Sequence, residues 1–205
     1  MQEKFLLGTY TRKTSKGIYE GTLEDEKLTV NFLLPESNPT YLTTSKKNIL
    51  YTVGADDNGG GIVSYDLNHK EKINSVTFPG SAPCYVAVDE KRQLVYSGNY
   101  HKGSLLSYKI LSDGSLKAAD EVTHTGSGPH KNQEKAHVHY SDLAPDDRLI
   151  VCDLGTDGLY TYDVSPEGKL TEIALFKAVP GTGPRHLVFH PEKNMAYLIG
   201  ELANT

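Results

Sequence analysis

The run Gly181-Thr182-Gly183-Pro184-Arg185-His186-Leu187-Val188-Phe189-His190-Pro191 places a fixed cation and an imidazole where two glycines and a proline deliver the chain into a short apolar stretch. A guanidinium keeps its charge at every relevant pH and presents a planar fork that suits an oxyanion or a phosphate. An imidazole beside it can move a proton near neutrality. Two more histidines, His137 and His139, stand two residues apart, so in an extended strand both would point to one face. Glu201 is an acid within the same segment as Arg185, able to act as a general base or to hold an imidazole. The polar, glycine-rich stretch from Gly126 to Lys135 leads straight into His137. It reads as a lid or pocket wall, with His130 and Lys131 as substrate-binding candidates beside His186. The catalytic candidates are His137, His139, Arg185 and Glu201.

No metal or cofactor is expected at these residues. Asp153-Leu154-Gly155-Thr156-Asp157-Gly158 lacks the full ligand spacing of a calcium loop, and its aspartates read as turn carboxylates that accept backbone N–H groups. Cys84 and Cys152 are the only cysteines; they form no CxxC pair and read as buried free thiols. Serine-hydrolase elbow, HExxH, P-loop and Rossmann fingerprints are all missing.

The elements that must position these residues are short strands. Apolar residues alternate in brief runs bounded by Gly, Asn, Asp and Pro, while the helical spacing of i, i+3, i+4 and i+7 is rare. Phe5 to Tyr10, Ile18 to Leu23 and Leu28 to Leu34 form the first three such runs. A repeat follows, framed by Pro39-Thr40-Tyr41-Leu42, Pro83-Cys84-Tyr85-Val86, Val138-His139-Tyr140-Ser141 and Pro184-Arg185-His186-Leu187. The frames lie roughly 44, 55 and 46 residues apart, and the insertion at 126–135 accounts for the longest interval. Each frame opens a strand, passes a polar turn, and continues through further strands such as Gly-Ile-Val-Ser-Tyr-Asp at 61–66 and Gly-Leu-Tyr-Thr-Tyr-Asp at 158–163.

Four strands per unit with short turns predict an all-β protein, a β-propeller built of four-stranded blades. The first three runs match the last three strands of a blade, and the chain stops after the second strand of another. Residues 1–205 are therefore read as a single propeller domain carrying about four blades' worth of material, a piece of a longer ring truncated at its C-terminus rather than a closed four-bladed one. The second position of the frames reads Thr40, Cys84, His139 and Arg185. In a propeller this slot opens the innermost strand at one mouth of the channel, so the two chemically equipped residues would stand side by side on neighbouring blades.

Composition narrows the partners. The 205 residues carry a formal net charge of −5, which argues against a general nucleic-acid binder but permits a small phosphorylated ligand. Apolar runs are a few residues long, so no membrane span is expected. No signal-peptide pattern opens the chain, and a cytoplasmic location is the expectation.

Ala-His-Val-His at 136–139, Cys-Asp-Leu-Gly-Thr-Asp at 152–157, Gly-Pro-Arg-His-Leu-Val-Phe-His-Pro at 183–191, Gly-Glu-Leu at 200–202 and Leu-Gly-Thr-Tyr-Thr near the start together resemble the β-propeller lactonase family. That family includes propeller-type 6-phosphogluconolactonases, with fungal carboxymuconate-lactonising enzymes as relatives. The resemblance implies a seven-bladed ring and hydrolysis of 6-phospho-D-glucono-1,5-lactone to 6-phosphogluconate, a step of the pentose phosphate pathway. It also implies a catalytic set of His137 or His139, Arg185 and Glu201. His-Val-His stands where relatives often have His-Pro-His, which leaves open which histidine meets the substrate. Other readings stay open beside it: a lactonising cycloisomerase, a hydrolase of another lactone, and a non-catalytic propeller scaffold.

Overall fold

The computed structural model describes residues 2–205, which form strands and turns with no helix among them. The first sheet has three antiparallel strands, β1 (Gln2–Leu7), β2 (Gly17–Glu24) and β3 (Lys27–Pro35). Three complete four-stranded meanders follow. They are β4 (Leu42–Thr44), β5 (Ile49–Asp56), β6 (Gly59–Asp66) and β7 (Glu71–Phe78); β8 (Tyr85–Asp89), β9 (Leu94–Asn99), β10 (Ser104–Ile110) and β11 (Leu116–Thr123); and β12 (Val138–Leu143), β13 (Leu149–Asp153), β14 (Gly158–Val164) and β15 (Leu170–Lys177). A two-stranded sheet of β16 (Pro184–Phe189) and β17 (Ala196–Gly200) ends the chain. Every pairing is between sequence neighbours and antiparallel, as consecutive tight turns dictate. The expected propeller architecture is the one observed.

Sheets stacked face to face bury the middle strands on both sides. Hence β9 is buried along its whole length, whereas the outer β11 and β15 alternate poorly and are mostly exposed. The core is therefore a series of layers between blades. Ile18 and Leu34 pack on Leu50, Val63 and Tyr65 between the first and second sheets. Tyr51 and Ile62 meet Val95 and Tyr108 between the second and third, and Leu94, Tyr96 and Leu105 meet Val151 and Tyr162 between the third and fourth. A recurrent polar tie locks the outer edges. Asn74 on β7 accepts from Leu116 N at 3.0 Å and donates to Leu116 O at 2.8 Å. One blade later, Asp120 on β11 accepts from Leu170 N at 2.8 Å.

The two incomplete sheets present uncovered apolar faces, with Leu28, Val30 and Phe32 on one and Val188, Tyr197 and Ile199 on the other. No helix long and apolar enough to cross a membrane occurs among the described residues.

Candidate active site

The third position of each frame builds a floor. Tyr41 and Tyr85 lie 4.3 Å apart between ring centroids, Tyr85 and Tyr140 4.8 Å, and the His186 ring stands edge-on to Tyr85 at 5.4 Å. Aromatic rings tilted or edge-on at these separations pack favourably. Tyr85 donates its hydroxyl to Asp142 at 3.0 Å. Burial raises the Asp142 pKa above the ordinary carboxylate range.

Above the floor lies a cavity of about 600 Å³, and all four residues of the second frame position, Thr40, Cys84, His139 and Arg185, line it. The slot inferred from the repeat thus lines one shared opening. Glu201, immediately after β17, and Tyr100, immediately after β9, complete this side of the wall. Arg185 and Glu201 meet in a salt bridge, the guanidinium donating to Glu201 Oε2. A larger hollow of about 920 Å³ covers the apolar face of β16–β17. It carries Arg185 and Glu201 only beside Val188, Tyr197 and Ile199, so it is an uncovered sheet face rather than the place where polar groups converge.

Like His101, His139 lines the cavity. Burial, then the Arg185 cation, then His186 hold its pKa down to about 4, so the ring is neutral at physiological pH. Its Nδ1 is buried without a hydrogen-bond partner, and its ring lies 5.1 Å from that of His186. Burial and Arg185 lower the His186 pKa as well. The Cys84 thiol is pushed up to about 11 by burial and points at the carbonyl oxygens of Gly98 and His139. It is a protonated wall group, not a nucleophile.

His137 has a different position. Its ring stacks on Tyr100 at 4.1 Å and 14°, and Nδ1 donates to Tyr100 O at 2.9 Å. Glu134 Oε1 comes within 3.2 Å of Nε2 without hydrogen-bond geometry. His137 does not line the cavity; it supports Tyr100, which does. Simple alternation fails here because His137 precedes β12 and the strand's register shifts between Val138 and Tyr140. His186 likewise sits in the aromatic floor, one position deeper than Arg185.

The 126–135 insertion buttresses the wall from outside. Gln133 is fully buried and donates Nε2 to Leu154 O and to Asp157 Oδ1, each at 2.8 Å. Lys135 Nζ reaches His101 O at 2.7 Å. His130 and Lys131 stand on this insertion and are not part of the cavity lining. Both loop aspartates bind backbone N–H groups. Asp153 Oδ1 accepts from His137, Gly155 and Thr156, while its Oδ2 meets His124 Nδ1 at 2.9 Å. Burial pushes the Asp153 pKa up, but these bonds outweigh it and hold the carboxyl below its usual value.

Tyr10, Arg12 and Asn38, from the loops around the first sheet, also line the cavity. The sequence carries a signal for Tyr10 alone. Gly8-Thr9-Tyr10 after β1 echoes Gly98-Asn99-Tyr100 at the end of β9, and both tyrosines reach the cavity.

Comparison with known proteins agrees with this architecture. The chain is 40% identical over 208 residues to the 6-phosphogluconolactonase of Bacillus subtilis, covering 97% of this chain and 59% of that one. A crystal structure of a Lactobacillus plantarum protein superposes with a TM-score of 0.96 at 50% identity, covering 99% of this chain and 61% of that one. The periplasmic gluconolactonase of Pseudomonas aeruginosa superposes with a TM-score of 0.89 at 29% identity, over 99% and 62% respectively. The chain thus spans about three fifths of the length of these relatives. Residues 4–205 match the pattern of the family described as "Lactonase, 7-bladed beta-propeller", and the chain belongs to that family.

Proposed function

We propose that this chain supplies much of the active-site wall of a lactonase that hydrolyses a sugar lactone, 6-phospho-D-glucono-1,5-lactone, to 6-phosphogluconate. The observation that carries this reading is the convergence of Arg185, Glu201 and neutral His139 on one cavity. The 6-phosphogluconolactonase and gluconolactonase names of two relatives support the substrate class.

In the proposed reaction, water adds to the lactone carbonyl and negative charge builds on the carbonyl oxygen. Arg185 stabilises that oxyanion, with Glu201 fixing the direction of its guanidinium. His139 takes the proton from water. Arg185 is one of the charges that depress the His139 pKa, so an oxyanion forming on Arg185 offsets that charge and makes the imidazole more basic as the proton moves. Collapse of the tetrahedral species breaks the ring C–O bond, and the ring oxygen receives the proton to become a hydroxyl.

The test is a time-resolved lactonase assay on the full-length protein, corrected for spontaneous hydrolysis. Acceleration that falls strongly in His139→Ala supports the reading. A wild-type rate equal to the spontaneous one overturns it.

A further inference from the structure

Three formally charged side chains stand on the cavity wall: Arg12, Arg185 and Glu201. Two of them neutralise each other, because Arg185 and Glu201 are joined in a salt bridge. Arg12 makes no ion pair among the described residues. Its guanidinium lies over the Tyr10 ring, 4.9 Å from the centroid, a contact that orients the fork without consuming its hydrogen-bond donors. Among the described residues that line the cavity, the one positive charge without an ionic partner is therefore Arg12, on the loop after the first strand.

The loop that carries Arg12 is fixed. Thr11 N donates to Asn38 Oδ1 at 3.1 Å, and Asn38 N donates to Thr11 Oγ1 at 3.2 Å. Thr9 Oγ1 also donates to Gly17 O. Gly8 seats the loop closely: a Cβ there would lie 2.1 Å from Pro39 O. Asn38 accommodates its end of the clamp with a φ of 45°, a conformation asparagine tolerates better than most residues.

We infer that Arg12, oriented by Tyr10 and held by the Thr11–Asn38 clamp, forms an anion subsite of this cavity that takes the phosphate monoester of the substrate. The inference rests on the lactonase reading and deepens it by dividing the two arginines between two tasks. Arg185, already balanced by Glu201, acts at the reacting carbonyl. Arg12 anchors the far, ionised end of the same molecule through charge-assisted hydrogen bonds.

The test compares wild-type, Arg12→Gln and Arg12→Lys forms of the full-length protein on 6-phosphoglucono-1,5-lactone and on unphosphorylated glucono-1,5-lactone. In Arg12→Gln the ratio of kcat/KM for the phosphorylated to the unphosphorylated lactone falls about 10- to 100-fold, mainly through KM. Arg12→Lys restores part of it, since lysine keeps the charge and loses the fork. An unchanged ratio, or equal losses on both substrates, overturns the subsite. Should the wild type hydrolyse neither lactone, the lactonase reading fails by itself, and calorimetric binding of 6-phosphogluconate decides the subsite separately. Binding abolished by Arg12→Gln sustains it; binding that is absent or indifferent to the substitution overturns it.

Discussion

Arg185 on β16 and Glu201 just beyond β17 are joined by a salt bridge at the rim of the cavity. Their side chains are 44% and 36% exposed, so the pair itself contributes no more than about 1 kcal/mol to folding. Substitution of either should leave the melting temperature nearly unchanged while lowering activity. Arg185→Ala is expected to lower kcat/KM about 10²- to 10³-fold, as loss of an oxyanion donor does elsewhere. Glu201→Gln should cost less, and the double substitution should cost less than the product of the two, because both act on one guanidinium. Strictly multiplicative losses would separate their roles.

His139 links the site to pH. Its pKa is about 4 in the folded protein against an ordinary value of 6.5, so between these values the unfolded chain binds the proton more readily. The contribution of this group to stability is fully present above about pH 6.5 and is lost as pH falls through about 4, by up to about 3 kcal/mol. Urea unfolding at pH 7 and at pH 4.5 should show a smaller difference in His139→Gln than in the wild type. Removing the neighbouring charge in Arg185→Gln should raise the imidazole pKa, read by NMR titration. An unmoved titration would mean that burial and His186 set it without Arg185.

The repeat made the blades and the cavity slot legible, because each blade must place the same frame position at the channel mouth. Thr40 and Cys84 predicted nothing chemical, yet they located Arg185 and His139. What escaped the sequence depended on contacts that no period encodes. The register shift in β12 turns His137 toward Tyr100 instead of the cavity. Gln133 draws the insertion onto the 154–157 loop, so His130 and Lys131 stay off the wall. Arg12 enters the site only through the clamp between Thr11 and Asn38, 27 residues apart.

Support by His137 has a measurable consequence. His137 holds Tyr100 through ring stacking and a bond to its carbonyl oxygen, whereas His139 lines the cavity itself. His137→Phe should preserve the stack and retain most activity, while His137→Ala should raise KM by about tenfold with a smaller change in kcat, for a loss of roughly 1.4 kcal/mol. His139→Ala should instead act mainly on kcat. The reverse pattern would make His137 the proton acceptor.

Asp157 ties the pieces of this wall together. It is 5% exposed and sits at a φ of 52°. One oxygen accepts from Gln133 Nε2 and Gly183 N, and the other from Gly181 N, all at 2.8 Å. A single carboxylate thereby joins the insertion to the loop that delivers Arg185. Asp157→Ala leaves three donors without their acceptor and should destabilise the protein by about 2–4 kcal/mol. Asp157→Asn keeps one acceptor oxygen and should cost less. Hydrogen exchange reports the mechanism directly: the amides of Gly181 and Gly183 should lose protection in Asp157→Ala, well before the strands β12–β14 do. If those two amides stay protected, the loop is held by something other than this carboxylate, and kcat/KM should then be as insensitive to the substitution as the exchange rates are.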